Sequence, residues 1–456
     1  MQGNARRRLL VGTMLISTFM AAMESTVIST AMPTIVDQLG GFELFSWAFG
    51  VYLLTQAVTT PVYGRLADLY GRKRVYIGST ALFLLGSLLC GLAWSMPSLI
   101  LFRAVQGFGS GGLAPIATTI ISDTAAPAER PKALGQISAI WGISAILGPI
   151  IGAFCVSHAS WPLVFWINLP IGLTTIALVG HFLREQRETV RHPLDLAGSA
   201  LLMLAAGAVM TALVQHQSLP PLLSLALLGV GVGLGVVLVR HERAAAEPTL
   251  PLHLWRQPII LIGNVSGLLC GAFLIGLTGF LPLYIQGVQG RSPLDAGLTL
   301  GTMSVSWTIA SMVVGRLLAR VSYRATALVG GLAVLAGSAG PLGLTPLQPP
   351  GWILAAAAIV GAGLGMLSIT FAVCIQSSVA WQDRGRATSL FYFCRLVGQA
   401  LGAAAFGGVL NAGMPGALPQ ALHQVFALAA ALAVVILLVS LLVPSRVTLR
   451  SQLQGD

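Results

Sequence analysis

Ionisable side chains are rare inside the long apolar segments of this chain, and those that occur there are the residues best suited to chemistry. Glu24 is the one acidic residue deep within such a segment, and Arg103 and Arg395 are the corresponding cations. If the segments cross a membrane, each buried charge costs about 2.5–3.5 kcal/mol and is expected to face a cavity or a partner. We predict that Glu24 and Arg103 bind protons and substrate.

Distances along a helix indicate which of these charges can meet. With a rise of about 1.5 Å per residue, Glu24 lies about 22 Å from the inner end of its segment, and Arg103 about 8 Å below the outer end of its own. Both belong to the outer half of the membrane and can form a pair. Arg395 lies about 10 Å from the inner end of its segment. Two interpretations stay open for it: a contact with substrate, or with backbone carbonyls at a helix end.

The composition of the chain indicates a membrane protein. Of its 456 residues, 55% are hydrophobic and only 9% are charged, whereas a soluble domain carries about 25% charged residues. The net charge of +11 comes from basic residues that punctuate the apolar segments. Such residues set membrane topology, so we expect no nucleic-acid partner.

Fourteen apolar runs come close to the length of about 20 residues that a membrane-spanning helix needs. The predicted spans are Leu9–Thr30, Phe45–Tyr63, Val75–Trp94, Ser98–Ser122, Ala133–Val156, Val164–Phe182, Leu196–Val214, Leu222–Val239, Ile259–Tyr284, Ala296–Leu318, Thr326–Leu344, Trp352–Val373, Ser389–Val409 and Val425–Val443. With these spans, 22 of the 25 Lys and Arg residues fall on one side of the membrane. Basic loops stay in the cytoplasm, so both termini are predicted to be cytoplasmic.

A weak internal repeat divides the chain. The stretch Gly64-Arg65-Leu66 recurs as Gly315-Arg316-Leu317, each between two spans on the predicted inner side. We predict an N-terminal six-helix bundle over residues 1–193, two inserted helices with a cytoplasmic linker over 194–257, and a C-terminal six-helix bundle over 258–456. The two inserted spans contain no ionisable residue, and are predicted to be dispensable for coupling.

The densest cluster of charges lies between the second and third spans. Asp68 can accept hydrogen bonds from Arg72 or from backbone amides of a neighbouring helix, and glycines allow a tight turn and close approach. We predict a cytoplasmic gate rather than a topology signal alone. Its residues are Gly64, Asp68, Gly71, Arg72, Lys73 and Arg74.

The fifth span combines a proline with small residues. Proline removes a hydrogen bond within the helix, and glycine lets a facing helix approach closely, so this span is predicted to shape the outer closure. The residues concerned are Gly135, Ser144, Gly148, Pro149 and Gly152.

These patterns resemble the major facilitator superfamily over essentially the whole chain. Residues 64–74 are similar to its signature loop, Arg103-x-x-Gln106-Gly107-x-Gly109 resembles the fourth-helix motif of its antiporters, and the fifth span resembles their antiporter motif. Trp166-Ile167-Asn168-Leu169-Pro170 and the fourteen spans resemble the 14-spanner drug:proton antiporters. Two departures are Glu24, where an aspartate is usual, and Trp161-Pro162-Leu163, where Trp-Arg-Trp is usual.

A central cavity is expected to be lined by aromatic, methionine and amide side chains, which suit amphipathic or cationic organic molecules. Its candidates are Met20, Met23, Trp47, Tyr52, Gln56, Gln106, Trp141, Asn168, Phe280, Trp307, Gln376 and Arg395.

The expected protein is an all-helical, multi-pass secondary transporter of the cytoplasmic membrane that exports such molecules in exchange for protons, as the resemblance implies. Export or uptake of one metabolite or siderophore stays open as an alternative, and a membrane-embedded enzyme or sensor is a distant one. No GxxxxGK[ST] motif and no histidine or cysteine pair with metal-ligand spacing is present, so we expect no enzyme activity, no ATP hydrolysis, no metal and no cofactor. The expected partners are small molecules, protons and lipid, with no obligate protein partner.

Overall fold

The computed structural model describes residues 2–124, 130–183, 195–216, 218–244, 252–318, 320–343, 345, 349–379, 383–414 and 417–443. Within these ranges the chain is built from helices, with no β-strand. Residues 125–129, 184–194 and 245–251 lie outside the described residues, and each belongs to a predicted cytoplasmic loop. The C-terminal tail at 444–456 also lies outside them. The orientation of the termini therefore stays a prediction.

Fourteen long helices follow one another along the described part of the chain. They are α1 (Gln2–Leu39), α2 (Phe45–Tyr70), α3 (Arg72–Gly91), α4 (Met96–Thr124), α5 (Arg130–His158), α6 (Leu163–Phe182), α7 (Leu196–Val214), α8 (Pro221–Ala244), α9 (Pro258–Leu283), α10 (Pro293–Leu317), α11 (Tyr323–Leu342), α12 (Pro350–Ser377), α13 (Arg384–Gly413) and α14 (Leu418–Leu441).

Thirteen of these helices are long and apolar enough to cross a membrane, as judged over the described residues. The remaining one, α2, has 26 residues and carries Arg65 and Asp68 in its last turns. Its length exceeds the about 20 residues that a span needs. The predicted all-helical fold with fourteen long helices is therefore confirmed, thirteen of them being candidate membrane spans.

The turn between α2 and α3 is shorter than the sequence predicts. Helix α2 runs on past Tyr63 to Tyr70, and the chain turns at Gly71 alone, whose φ of 88° lies in the left-handed region. Gly64 lies inside α2, and a Cβ atom there would meet nothing within 4 Å. Only Gly71 requires glycine for this turn, so the role in the turn predicted for Gly64 is wrong.

Caps and one break explain several helix boundaries. Ser292 begins α10 with a capping box, in which its hydroxyl accepts from the Asp295 amide and the Asp295 carboxylate accepts from the Ser292 amide. Such reciprocal bonds satisfy two otherwise unpaired N–H groups. The hydroxyl of Ser322 caps α11 by accepting from the Ala325 amide. Helix α6 is interrupted at Ile167, so that Asn168 begins its longer part.

Two compact units are present: Met1–Ala208 with Gly229–Thr249, and Val209–Leu228 with Leu250–Asp456. Helices α7 and α8 are each divided between these units, and the separate inserted segment at 194–257 stays a prediction. Helix α8 also continues past Val239 and buries Glu242, which is 3% exposed. The inserted pair therefore carries a buried acid that the shorter predicted span excludes.

Glycines let three helices of the first unit pack almost backbone to backbone. A Cβ at Gly107 of α4 would lie 2.5 Å from the Tyr52 carbonyl oxygen of α2, and one at Gly109 would lie 2.2 Å from the Phe83 nitrogen of α3. A side chain at either position would clash with the neighbouring backbone. Helix α4 is thereby held against α2 and α3, which fixes the position of Arg103 one turn away.

Candidate functional site

A buried ion pair joins α1 to α4 in the first unit. The Arg103 Nη1 atom donates to Glu24 Oε1 at 2.5 Å, and the two side chains are 1% and 2% exposed. Arg103 also donates from Nη1 to Gln106 Oε1 at 2.7 Å and from Nε to the Ala48 carbonyl at 3.1 Å. The guanidinium is thus bound by one charged and two neutral acceptors, which offset the cost of burying it.

A chain of amides and a hydroxyl supports the carboxylate. Asn168 of α6 donates to Glu24 Oε2 at 2.7 Å and lies 3.4 Å from the Ser87 hydroxyl of α3. Gln106 donates to the same hydroxyl at 2.8 Å, and Asn168, Gln106 and Ser87 are all fully buried. Both carboxylate oxygens of Glu24 are therefore held, one by a cation and one by a neutral amide.

The guanidinium also lies against aromatic rings. The Arg103 Cζ atom is 4.0 Å from the centre of the Tyr52 ring and 5.9 Å from that of Phe165. Tyr52 is itself fixed by a 2.7 Å hydrogen bond between its hydroxyl and that of Ser110. Such cation–π contacts contribute about 2 kcal/mol or more when water is excluded. The two rings therefore add to the contacts that hold the guanidinium.

The carboxylate of this arrangement can bind either a proton or a cation. A carboxylate pairs with Arg103 or with another cation, whereas a protonated Glu24 is neutral and forms no ion pair. Proton and cation therefore compete for the same oxygens. No group of three or more His, Cys, Asp or Glu side chains among the described residues could hold a metal ion.

Four of the predicted cavity residues gather around the ion pair. Gln106 and Asn168 form hydrogen bonds with it, and the Tyr52 ring packs against Arg103. Gln56 donates to the Ser110 hydroxyl beside Tyr52. These residues come from α2, α4 and α6, so the pair lies where several helices of the first unit meet.

The other predicted cavity residues form no hydrogen bond with the ion pair among the described residues, and their role in a cavity stays a prediction. Trp141 of α5 and Gln376 of α12 are exposed, so neither belongs to the buried cluster around Glu24. Within the described part of the first unit, the side chains of Met20, Met23 and Trp47 form no hydrogen bond with Glu24 or Arg103, although all three are buried or half-buried. The remaining three belong to the second unit: Phe280, Trp307 and Arg395.

The residues of the predicted gate lie at the junction of α2 and α3. Lys73 donates to the Gly180 carbonyl of α6 at 2.5 Å, whereas Arg74 is exposed. Asp68 is exposed and accepts no hydrogen bond among the described residues, so the contact that we expected from Arg72 is absent here. The gating role of Asp68 stays a prediction.

The motif of the fifth span packs against α1. A Cβ at Gly148 would lie 2.0 Å from Thr26 Oγ1, and one at Gly152 would lie 2.5 Å from the Val27 carbonyl oxygen. Ser144 donates to the Phe19 carbonyl. Gly135 lies in α5, and its surroundings are outside the described part. Because Thr26 and Glu24 share α1, this packing also sets the position of the carboxylate.

Sequence reasoning missed four contributors to the site: Ser87, Ser110, Phe165 and the Ala48 carbonyl. The two serines were open to prediction, because a hydroxyl buried in an apolar helix must find a partner. The other two gave no signal, since Phe165 is an ordinary apolar residue and a backbone carbonyl is present at every position.

Comparisons with known proteins agree on one family. The family model described as Major Facilitator Superfamily matches residues 14–403. The chain is 33% identical over 408 residues to multidrug resistance protein 3 of Bacillus subtilis (strain 168), covering 89% of this chain and 80% of that protein. It is 29% identical over 392 residues to the multidrug efflux pump SdrM of Staphylococcus aureus (strain N315), covering 85% and 86%.

Solved structures show the same fold at lower identity. A bacterial homologue of the human lysosomal transporter Spinster, in an inward-facing and unoccupied conformation, has a TM-score of 0.71 at 18% identity over 98% of both chains. A mutant of the nucleoside transporter NupG has a TM-score of 0.69 at 13% identity over 94% of this chain and 98% of that one.

Proposed function

Because the chain belongs to the major facilitator superfamily of multi-pass membrane transporters and is not an enzyme, we propose that it exports small amphipathic or cationic organic molecules in exchange for protons. We place it in the cytoplasmic membrane with both termini in the cytoplasm. Two relatives at 33% and 29% identity are named for multidrug resistance and multidrug efflux, which supports a range of substrates rather than one metabolite.

The observation that carries the proposal is the buried pair of Glu24 and Arg103. A charged pair at this depth costs more than two apolar residues of similar size, and stability alone does not explain it. A carboxylate that must bind a proton in one half of a cycle and a cation in the other does explain it. Arg103 pairs with the carboxylate when neither proton nor substrate is bound.

Asn168 suits both charge states of the site. Its Nδ2 group donates to Glu24 Oε2, and its Oδ1 atom is buried with no hydrogen-bond donor among the described residues. A half-turn of the amide would point Oδ1 at Glu24, where it could accept from a protonated carboxyl. Asn168 can therefore hold Glu24 in place while the proton enters and leaves.

The cycle uses alternating access to the site from the two sides of the membrane, as in other secondary transporters. On the cytoplasmic side a substrate binds and Glu24 releases its proton. On the outer side a proton binds and the substrate leaves. The proton gradient drives the exchange, and no other cofactor is required.

Proteoliposomes containing the purified protein test the proposal. In proteoliposomes with an acidic interior, the pH gradient should drive uptake of a lipophilic cation such as ethidium through the protein molecules whose cytoplasmic face points outward. Ethidium should in turn collapse the pH gradient. In the E24Q variant, ethidium transport should no longer respond to the gradient. Gradient-driven transport of ethidium at the wild-type rate by E24Q would contradict the proposal.

A further inference from the structure

Arg395 is the charged group set deep in a helix of the second unit. Residues 250–456 contain only three acids, Asp295, Asp383 and Asp456. Asp295 belongs to the capping box of α10, and Asp383 at the start of α13 lies about 18 Å away along the helix axis. The sequence around Arg395 therefore offers it no carboxylate at its own depth, unlike Arg103, which is paired with Glu24.

The Arg395 side chain contacts an aromatic ring and no carboxylate among the described residues. Its Cζ atom lies 4.9 Å from the centre of the Trp307 ring of α10. Within the described residues it has no ion pair and no hydrogen bond, although a guanidinium offers five N–H donors. Arg395 is half-buried, and leaving such donors unpaired inside a membrane protein is costly, so a ligand that binds beside it can supply the acceptor.

Arg395 lines a cavity of about 10 Å³, room for about one water molecule, within the second unit. A ligand with a ring needs more space than this, so it would enter only when the helices around the cavity move apart during alternating access. The lining combines aromatic carbons with small polar groups. Its residues include Ser266, Cys270, Trp307, Ser368, Phe371 and Arg395.

Close backbone contacts fix the two main residues of the cavity. A Cβ at Gly271 of α9 would lie 2.1 Å from the Arg395 carbonyl oxygen, and one at Gly365 of α12 would lie 2.4 Å from the Trp307 carbonyl oxygen. The helices that carry Arg395 and Trp307 are thus each in direct backbone contact with a neighbour at that level. These contacts fix the backbone positions from which the Arg395 and Trp307 side chains extend.

We propose that Arg395 and Trp307 form a subsite for a carboxylate attached to an aromatic ring. The planar guanidinium can bind a carboxylate through two parallel hydrogen bonds, and Trp307 and Phe371 can pack against the ring. The inference rests on the proposed transport function and narrows its substrates, because it adds aromatic acids, including zwitterions, to the amphipathic molecules that the protein carries.

Binding of a matched pair of probes to the detergent-purified full-length protein tests the subsite. The probes are 1-naphthoate and its neutral amide, 1-naphthamide, which share the ring and differ in charge. By calorimetry the wild type should bind naphthoate at least tenfold more tightly than naphthamide. R395Q should lose this preference. R395K should keep only part of it, because a lysine ammonium keeps the charge but lacks the planar guanidinium that binds a carboxylate through two parallel hydrogen bonds.

A surface arginine on the same helix provides the control. Arg386 is 70% exposed and pairs with Asp383 in the first turn of α13, so R386Q should keep the full preference for naphthoate. Equal binding of both probes by the wild type, no naphthoate binding by the wild type, or unchanged selectivity in R395Q would each overturn the proposal. R395K serves the same purpose if R395Q does not fold.

The pH dependence of ethidium transport is measured on the same R395Q and R395K preparations. If that dependence persists while the wild type shows no preference for naphthoate, the subsite is refuted and the proposed coupling stands. If the wild type prefers naphthoate but E24Q transports ethidium like the wild type, the subsite stands and the proposed coupling fails.

Discussion

The side-chain amide of Asn168 lies 2.7 Å from Glu24 Oε2, the carboxylate oxygen that Arg103 does not contact. Glu24 is therefore held from two helices, α4 through a cation and α6 through a neutral donor. The cation favours the charged carboxylate, whereas the amide can bind either charge state. We therefore expect loss of Asn168 to change the pH profile of transport, and loss of Arg103 to change the stability of the protein.

Replacing Asn168 by alanine should shift the pH profile of transport to higher pH. The hydrogen bond to the charged carboxylate is the stronger of the two that the amide can form, so its loss favours the protonated form. A bond of this kind contributes about 1.5 kcal/mol, which corresponds to a shift of about one pH unit. The initial rate of ethidium transport between pH 5 and pH 9 measures it.

N411A is the matched control for this shift. Asn411 of α13 donates to the Val214 carbonyl within the second unit, and its loss should leave the pH profile unchanged. An N168A profile that overlays the wild type, or moves to lower pH, would show that the amide does not stabilise the charged state.

Removing Arg103 should destabilise the protein more than removing both members of the pair. R103Q leaves a buried carboxylate without its cation, and breaking a buried pair in this way costs about 3–5 kcal/mol. The double variant E24Q/R103Q leaves no buried charge at this site. We expect its thermal unfolding midpoint in detergent to lie above that of R103Q.

The pH of the unfolding experiment provides an internal check. Protonation neutralises an isolated carboxylate, so R103Q should be less destabilised at pH 5 than at pH 8, whereas E24Q/R103Q should show no such difference. Equal destabilisation of R103Q at both pH values would mean that the buried charge is not the cause.

Alanine in place of the glycines of α5 should destabilise in a defined order. At Gly152 the new Cβ would lie 2.5 Å from a backbone oxygen, at Gly148 it would lie 2.0 Å from the Thr26 hydroxyl, and at Gly12 of α1 it would meet nothing within 4 Å. Overpacking costs about 1–3 kcal/mol, and a side chain yields more easily than a backbone. Thermal midpoints should therefore fall most for G152A, less for G148A and not at all for G12A.

A second substitution separates packing from other causes. T26A removes the hydroxyl that lies nearest to the added Cβ at Gly148, so G148A/T26A should melt above G148A. If G152A melts like G12A, the close contact between α1 and α5 does not hold in the folded protein.

Sequence reasoning predicted the fold well, because a membrane span needs about 20 mostly apolar residues and such runs are easily recognised in the sequence. It also singled out Glu24 and Arg103, since a charge in an apolar helix stands out. It missed Ser87, and it extended the turn at Gly71 back to Gly64, because α2 stays helical through polar residues that follow its apolar part. Which side chains face one another depends on helix rotation, and Trp141 shows that residue type does not predict it.

Asp68→Asn should impair transport without affecting stability. Asp68 is exposed and has no hydrogen bond among the described residues, so the folded protein loses nothing measurable. If the carboxylate latches the cytoplasmic side during the cycle, a cysteine placed on the cytoplasmic side of the cavity should become easier to label in D68N, and the transport rate should fall several-fold. Fluorescent maleimide labelling and ethidium transport measure the two effects.

Asp37 is the control for this prediction, because it is also exposed and acidic but lies near the C-terminal end of α1. D37N should behave like the wild type in both assays. Normal transport and unchanged labelling in D68N would reduce the cluster of charges to a topology signal.

The most direct test of the central claim is the release of protons when substrate binds to the purified protein. In weakly buffered detergent solution, ethidium added to the wild type should release close to one proton per substrate bound, because substrate and proton compete for Glu24. E24Q should release none, and E24D should still release protons with a changed pH optimum. If E24Q binds ethidium and releases protons as the wild type does, Glu24 is not the coupling site and the account is wrong.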